Sequence, residues 1–194
     1  MKKLLIATHN QGKIKEIKAF LSDYFDEIIT LNDLNDVDEV IEDCDTYEGN
    51  AIKKAQYFYD KYHMPTLADD SGLELDAIPR YPGIYSARIA ENDELRNRLI
   101  IEKLEKHANR NAKMIAVLAF IATQTYTYRG EIEGIITHSI TGSHGFGYDK
   151  IFYVKSLNTT FGEVEQSIKS TISHRGKALQ AFISSLKENT HGAY

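Results

Sequence analysis

The chain has 194 residues, 42% of them hydrophobic and 26% charged, with a formal net charge of −5. That balance describes a globular protein with a core of its own, not a disordered chain, and the length suits one domain, taken as 1–194. The negative charge excludes polyanion binding over the whole surface, so no nucleic-acid partner is expected, while a small anion held by converging cations fits.

Residues 2–7 read as a short, continuously apolar strand of the kind buried inside a sheet. Polar Thr8 arrives after only four apolar residues, too soon for a secretory signal, so a cytoplasmic location is expected. No apolar run approaches the roughly 18–20 residues of a membrane span, and no membrane partner is expected. A polar turn follows, then a helix with Ile14, Ile17 and Leu21 on one face, then a strand near 27–31. Together these make a β-α-β start. Cys44, the single cysteine, excludes an intrachain disulfide and a multi-cysteine zinc site.

Residues 47–62 form a second helix with Ala51, Ala55, Phe58 and Tyr62 at helical spacing, and 66–69 a short strand ending in two aspartates. Residues 95–107 read as an amphipathic helix with Leu95, Leu99 and Leu104 as its apolar positions. Strands at 113–123 and 126–141 pair as a hairpin, and 177–186 is a closing helix with Leu179, Phe182, Ile183 and Leu186 inward. The fold class is therefore α/β with a mixed sheet.

Five segments could carry chemistry. Thr8, His9, Asn10, Gln11, Gly12 and Lys13 lie between a buried strand and a helix, where unpaired N–H groups and the helix dipole attract phosphate. The P-loop spacing is absent, and an ordinary turn capped by Asn10 reads the same residues. Asp69, Asp70, Ser71 and Gly72 place two carboxylates side by side, which repel unless a cation is near. Oxygen-only ligands suit Mg²⁺ or Mn²⁺, and Glu42, Asp43 and Asp45 add acid upstream. The competing reading is a solvated Asp-Ser-Gly turn. Asn50 and Lys54, four apart, share one helix face that could orient carboxylates or reach a phosphate; taken alone, an ordinary surface face is the better reading of it.

Gly145, Phe146, Gly147, Tyr148 and Asp149 interleave glycine with aromatics, which suits stacking on a planar base or a turn with buried rings. Ser173, His174, Arg175, Gly176 and Lys177 open the last helix and could read a base edge or clamp phosphates, or simply form a start capped by Ser173. The other histidines (His63, His107, His138, His144 and His191) show no ligand spacing, and no nucleophile elbow appears.

In combination and in order, these blocks resemble the Ham1/RdgB family of inosine triphosphate pyrophosphatases. The blocks are Thr8 to Lys13; Glu42 with Tyr47-Glu48-Gly49-Asn50-Ala51; Ala68-Asp69-Asp70-Ser71-Gly72-Leu73; Pro82-Gly83-Ile84-Tyr85-Ser86-Ala87-Arg88; Phe146-Gly147-Tyr148-Asp149; and Ser173-His174-Arg175-Gly176. The resemblance covers about residues 3–187. His9, Gly49 and Lys150 stand where other residues are common in the family.

The resemblance implies an elongated two-lobed α/β fold with a long central mixed β-sheet flanked by helices, an active-site cleft between the lobes, and a homodimer. It implies Mg²⁺-dependent hydrolysis of ITP, dITP and XTP to the monophosphate and pyrophosphate, which cleanses the nucleotide pool. By position, Thr8, His9, Asn10, Gln11, Gly12, Lys13 and Lys54 would hold the triphosphate. Glu42, Asp69 and Asp70 would bind metal, with Asp70 also the base; Ser71, Phe146, Gly147, Tyr148, Asp149, Lys169, His174 and Arg175 would contact substrate. Attack of water at the α-phosphorus needs a proton acceptor and cations at the leaving oxygens, which are Asp70, Lys13, Lys54 and the metal. A nucleotide-binding sensor without catalysis, or a pyrophosphatase for other modified nucleotides, is the alternative.

Overall fold

Leu4, Leu5 and Ile6 are all fully buried, the signature of a strand covered on both faces, and β1 (Lys3–Ile6) lies between two parallel neighbours. In this computed structural model, residues 2–188 are described; His191 lies outside them. After β1 come α1 (Gln11–Leu21), β2 (Glu27–Thr30), α2 (Tyr47–Tyr62), β3 (Thr66–Leu75), β4 (Ile78–Pro82) and α3 (Asp93–Lys103). The chain continues through β5 (Asn111–Ile121), β6 (Thr125–Ile136), β7 (Phe152–Val154), β8 (Thr159–Thr160), α4 (Gln166–Ile172) and α5 (His174–Glu188).

The strands are hydrogen-bonded in the order β2-β1-β3-β5-β6-β7-β8, with β4 on β3. Pairing is parallel for β1 with β2 and β3, and antiparallel for β3–β4, β6–β7 and β7–β8, so the fold is α/β with a mixed sheet. The chain divides into two compact units, and β3, β5 and β6 each contribute to both. Of the described residues, unit 1 takes 2–70, 116–129 and 178–188; unit 2 takes 71–115 and 130–177.

In unit 1 the apolar stripe of α1 (Ile14, Ile17, Leu21) and that of α5 (Leu179, Phe182) pack with Leu4, Ile6, Leu67, Leu118 and Phe120. In unit 2 the core is Leu73, Leu75, Ile100, Leu104, Met114, Ile132, Phe152 and Phe161 with their neighbours. Helix starts follow the sequence: Asn10 Oδ1 accepts from Lys13 N–H at 3.0 Å, Thr46 Oγ1 from Gly49 N–H at 3.0 Å, and Ser173 Oγ from Gly176 N–H at 3.0 Å.

Three expectations need correction. The strand at 66–69 does not stop at its aspartates; β3 runs on to Leu75, so Asp69, Asp70 and Ser71 are mid-strand residues and not a turn. The helix expected at 95–107 is α3, eleven residues that start at Asp93 and end at Lys103, and it buries Asn97 and Ile100 while Leu95 stays exposed. The strand expected to reach Thr141 ends at Ile136, because Arg110 takes the next acceptors: Nε donates to the Ile136 carbonyl at 2.8 Å and a terminal nitrogen to that of Thr137 at 2.7 Å.

Candidate active site

Unit 1 gathers the lysines and carboxylates. The turn after β1 is closed by the Thr8 hydroxyl, which accepts from Asn10 N–H at 3.2 Å, and by Gln11, whose side chain donates to the His9 carbonyl at 3.3 Å. His9 Nε2 donates to the Asp38 carbonyl at 3.0 Å, tying this turn to the segment before Glu42. Gln11, Gly12 and Lys13 are the first three residues of α1, where backbone N–H groups point outward along the axis. The Lys13 ammonium pairs with Asp69, whose side chain is fully buried.

Successive side chains of a strand face opposite ways, and the two aspartates find different partners. Asp69 meets Lys13; Asp70 accepts from Asn50 Nδ2 at 3.1 Å. Burial raises the Asp70 carboxyl to about 6, with the Glu42 charge adding to the rise and Lys13, Lys54 and the Asn50 hydrogen bond opposing it. A carboxylate poised this close to neutrality holds or releases a proton readily. Lys54 pairs with Glu42, so the α2 face singled out in the sequence does engage both acids.

The segment that carries Glu42 has no regular structure of its own and lies along α2. Cys44 N–H donates to Asn50 Oδ1 at 3.0 Å, Glu42 meets Lys54, and Asp38 accepts from Tyr57 at 2.6 Å and from Lys61 at 2.7 Å. Asp36 accepts from Lys61 at 2.8 Å and from Tyr62 at 2.6 Å. Burial would push the Asp36 carboxyl up, but these hydrogen bonds outweigh it and hold it at about 2. None of the Asp36, Asp38, Tyr57 and Lys61 set stood out in the sequence, because exposed-looking charges carry no periodic signal.

Unit 2 gathers a ring and its cations. Asp149 Oδ2 accepts from Phe146 N–H at 2.8 Å and from Lys169 Nζ at 2.5 Å, and both charged side chains of that pair are almost wholly buried. The Lys169 ammonium stands 4.7 Å from the Phe146 ring centroid and the Arg175 guanidinium 5.6 Å. Arg175 donates to Ser71 Oγ at 2.9 Å, and His174 is buried beside it at the start of α5. Tyr148 is a core residue whose hydroxyl donates to the Ser86 carbonyl at 2.7 Å; burial pushes its ionisation up. Lys169, carried on the short α4 that sequence periodicity missed, is thereby brought to Phe146 and Asp149.

Among the described residues no group of three or more His, Cys, Asp or Glu side chains is gathered to hold a metal. Glu42 and Asp70 are nonetheless hard oxygen donors close enough for the charge of one to raise the other. Two carboxylates fit Mg²⁺, which keeps waters and takes substrate phosphate oxygens for the rest of its shell. No helix among the described residues is long and apolar enough to cross a membrane.

The sequence model of the Ham1 family matches residues 4–185. A dITP/XTP pyrophosphatase of an Exiguobacterium species is 44% identical over 183 residues, 92% of this chain and 93% of that protein. The Flavobacterium johnsoniae protein of the same name is 42% identical over 93% of this chain and 96% of its own. Among solved structures, the Staphylococcus aureus Ham1 protein superposes with a TM-score of 0.87 at 34% identity, covering 97% of this chain and all of that one.

Proposed function

The chain belongs to the Ham1 family, and we propose that it hydrolyses ITP, dITP and XTP to the nucleoside monophosphate and pyrophosphate. The observation that carries the reading is Asp70: a buried carboxyl raised to about 6, held by Asn50, on a strand whose preceding residue pairs with Lys13. A base tuned toward neutrality beside two lysines suits hydrolysis of a polyanion.

In this reading Lys13 and Lys54 exchange their carboxylate partners for the β- and γ-phosphates, with the first-turn N–H groups of α1 as further donors. Asp70 takes the proton of the water that attacks the α-phosphorus. Glu42 and Asp70 would hold Mg²⁺, or Mn²⁺ in its place, and the metal would supply charge neutralisation at the transferred phosphate oxygens. Asp69, named with them as a metal ligand from the sequence, faces the other way on β3 and keeps Lys13 oriented instead. Phe146 offers a stacking face to the base, and Arg175 and His174 offer donors to its edge. Assembly as a homodimer and a cytoplasmic location complete the proposal; sedimentation of the purified chain and cell fractionation test them.

The discriminating experiment is hydrolysis of ITP with Mg²⁺ in ¹⁸O-labelled water. Label in IMP with unlabelled pyrophosphate is the expected outcome, since attack at the α-phosphorus leaves the water oxygen on the monophosphate. Label in pyrophosphate, release of orthophosphate, or binding without turnover would overturn the reading, the last in favour of a sensor.

A further inference from the structure

Phe146 sits between two glycines that both adopt left-handed backbone, Gly145 at φ +72° and Gly147 at φ +63°. Such a loop needs anchors to present its ring in one orientation. Packing does not supply one at Gly147, where an added Cβ would meet nothing within 4 Å. A cavity of about 380 Å³ borders the same stretch, lined among others by Asp93, Asn97, Ile140, Phe146, Gly147 and Lys150. On the Gly147 side the loop is therefore held by hydrogen bonding and not by packing.

What holds it there comes from 54 residues away in sequence. Asp93, the first residue of α3, accepts from Gly147 N–H through Oδ2 at 2.6 Å. Its other oxygen pairs with Arg96, which is itself fixed by the carbonyls of Ala87 at 2.8 Å and Ala90 at 3.2 Å. A charged acceptor on a backbone N–H is among the stronger hydrogen bonds. Of the further anchors, Tyr148 is fixed in the core by its hydroxyl on the Ser86 carbonyl, and Asp149 is shared with Lys169 and so belongs to the group that faces the ring. Asp93 holds the loop from outside that group, and its side chain is 42% exposed.

We propose that Asp93 is a positioning residue for base recognition: by holding the Gly147 N–H it fixes the loop that presents Phe146. The inference rests on the reading that Phe146 meets the purine. Asp93 itself touches no substrate, so it should govern how tightly a purine nucleotide binds and leave the phosphate chemistry of unit 1 alone.

The test is an amide-resolved NMR titration of the intact chain with IMP, paired with ITP kinetics, on wild type, Asp93→Ala, Asp93→Asn and Asp93→Ser. Asp93→Ala should move the Gly147 amide resonance, weaken IMP binding roughly tenfold, and raise KM for ITP similarly with kcat within about twofold. Asp93→Asn retains a carbonyl acceptor but loses the Arg96 ion pair, and should bind within about threefold of wild type. Asp93→Ser keeps a favourable helix-start residue whose hydroxyl is too short to reach, and should match Asp93→Ala even if alanine loosens α3. Unchanged affinity in Asp93→Ala, or Asp93→Asn as weak as alanine, overturns the proposal. If IMP shifts no resonance at residues 146–149 of wild type, the base-stacking reading itself has failed and this inference falls with it.

Discussion

The Asn50 side chain joins two things at once: its Nδ2 donates to Asp70 at 3.1 Å, and its Oδ1 accepts the Cys44 N–H at 3.0 Å. One fully buried amide thus sets the direction of the candidate base and the position of the segment two residues beyond Glu42. The orientation of the amide is unambiguous, because a backbone N–H can only donate and must face its oxygen.

Asp70→Asn should lower turnover of ITP by roughly 10²–10⁴, the usual range for a lost general base. The same variant should be more stable at neutral pH. A carboxyl raised from 3.8 to about 6 disfavours its own ionisation by about 3 kcal/mol, and the amide removes that penalty. Urea denaturation and steady-state kinetics on one preparation check both halves; normal turnover would remove Asp70 from the chemistry.

The pH dependence of stability has a definite sign. The folded protein binds the Asp70 proton more tightly than the unfolded chain does, so this contribution is fully present below about pH 4 and is lost as pH rises through about 6. In EDTA, the stability of wild type minus that of Asp70→Asn should fall between pH 4 and 7. A difference that rises over that window contradicts the raised carboxyl.

Lys13→Ala leaves Asp69 without its ammonium partner in a fully buried position, which should cost up to about 3 kcal/mol. It should also lower kcat/KM for ITP, because the charge serves the triphosphate. Adding Asp69→Asn should return much of the stability and none of the activity. A double-mutant cycle measured by denaturation and by kinetics separates the two losses.

On base selection, Arg175→Ala should shrink the preference for ITP over ATP, since an edge donor suits a 6-carbonyl and is left unpaired by a 6-amino group. Phe146→Ala should weaken both nucleotides alike, by about 1–3 kcal/mol, because every base has a stacking face. The ratio of the two kcat/KM values is the quantity to compare. An unchanged ratio in Arg175→Ala makes that residue a phosphate clamp.

Chelation is the remaining test. EDTA should abolish ITP hydrolysis and Mg²⁺ or Mn²⁺ should restore it, as expected for a site with carboxylate donors and no soft ligand. Full activity after exhaustive chelation would leave Glu42 and Asp70 without their assigned cation.

The helices α1 and α2 were legible because capping residues and apolar spacing agree: Asn10 precedes Ile14, Ile17 and Leu21, and Thr46 precedes Ala51, Ala55 and Phe58. The strand at 66–69 was expected to end at its aspartates because residues of that kind usually seek water, and Lys13, Asn50 and Arg175, distant in sequence, let Asp69, Asp70 and Ser71 lie within it. In α3 the buried Asn97 breaks the apolar stripe, which shifted the inward face toward Leu95. Strands β4, β7 and β8 are five, three and two residues long and owe their extension to partners rather than to any pattern. The order of site blocks, by contrast, was readable whole, because each is a local cluster of chemistry-bearing residues.

The contacts of the irregular segment with α2 run in one direction: Cys44 to Asn50, Glu42 to Lys54, Asp38 to Tyr57, Asp36 to Lys61. The helix positions 50, 54, 57 and 61 form a single stripe, about 16 Å long at 1.5 Å per residue. The segment borrows its shape from that stripe, as a tape laid against a ruler. A single residue inserted within α2 between Asn50 and Lys61 would turn the later marks by about 100° and carry them away from their partners. A one-residue change of helix length between Asn50 and Lys61 should therefore cost the segment its shape, where an exchange of one exposed side chain should not.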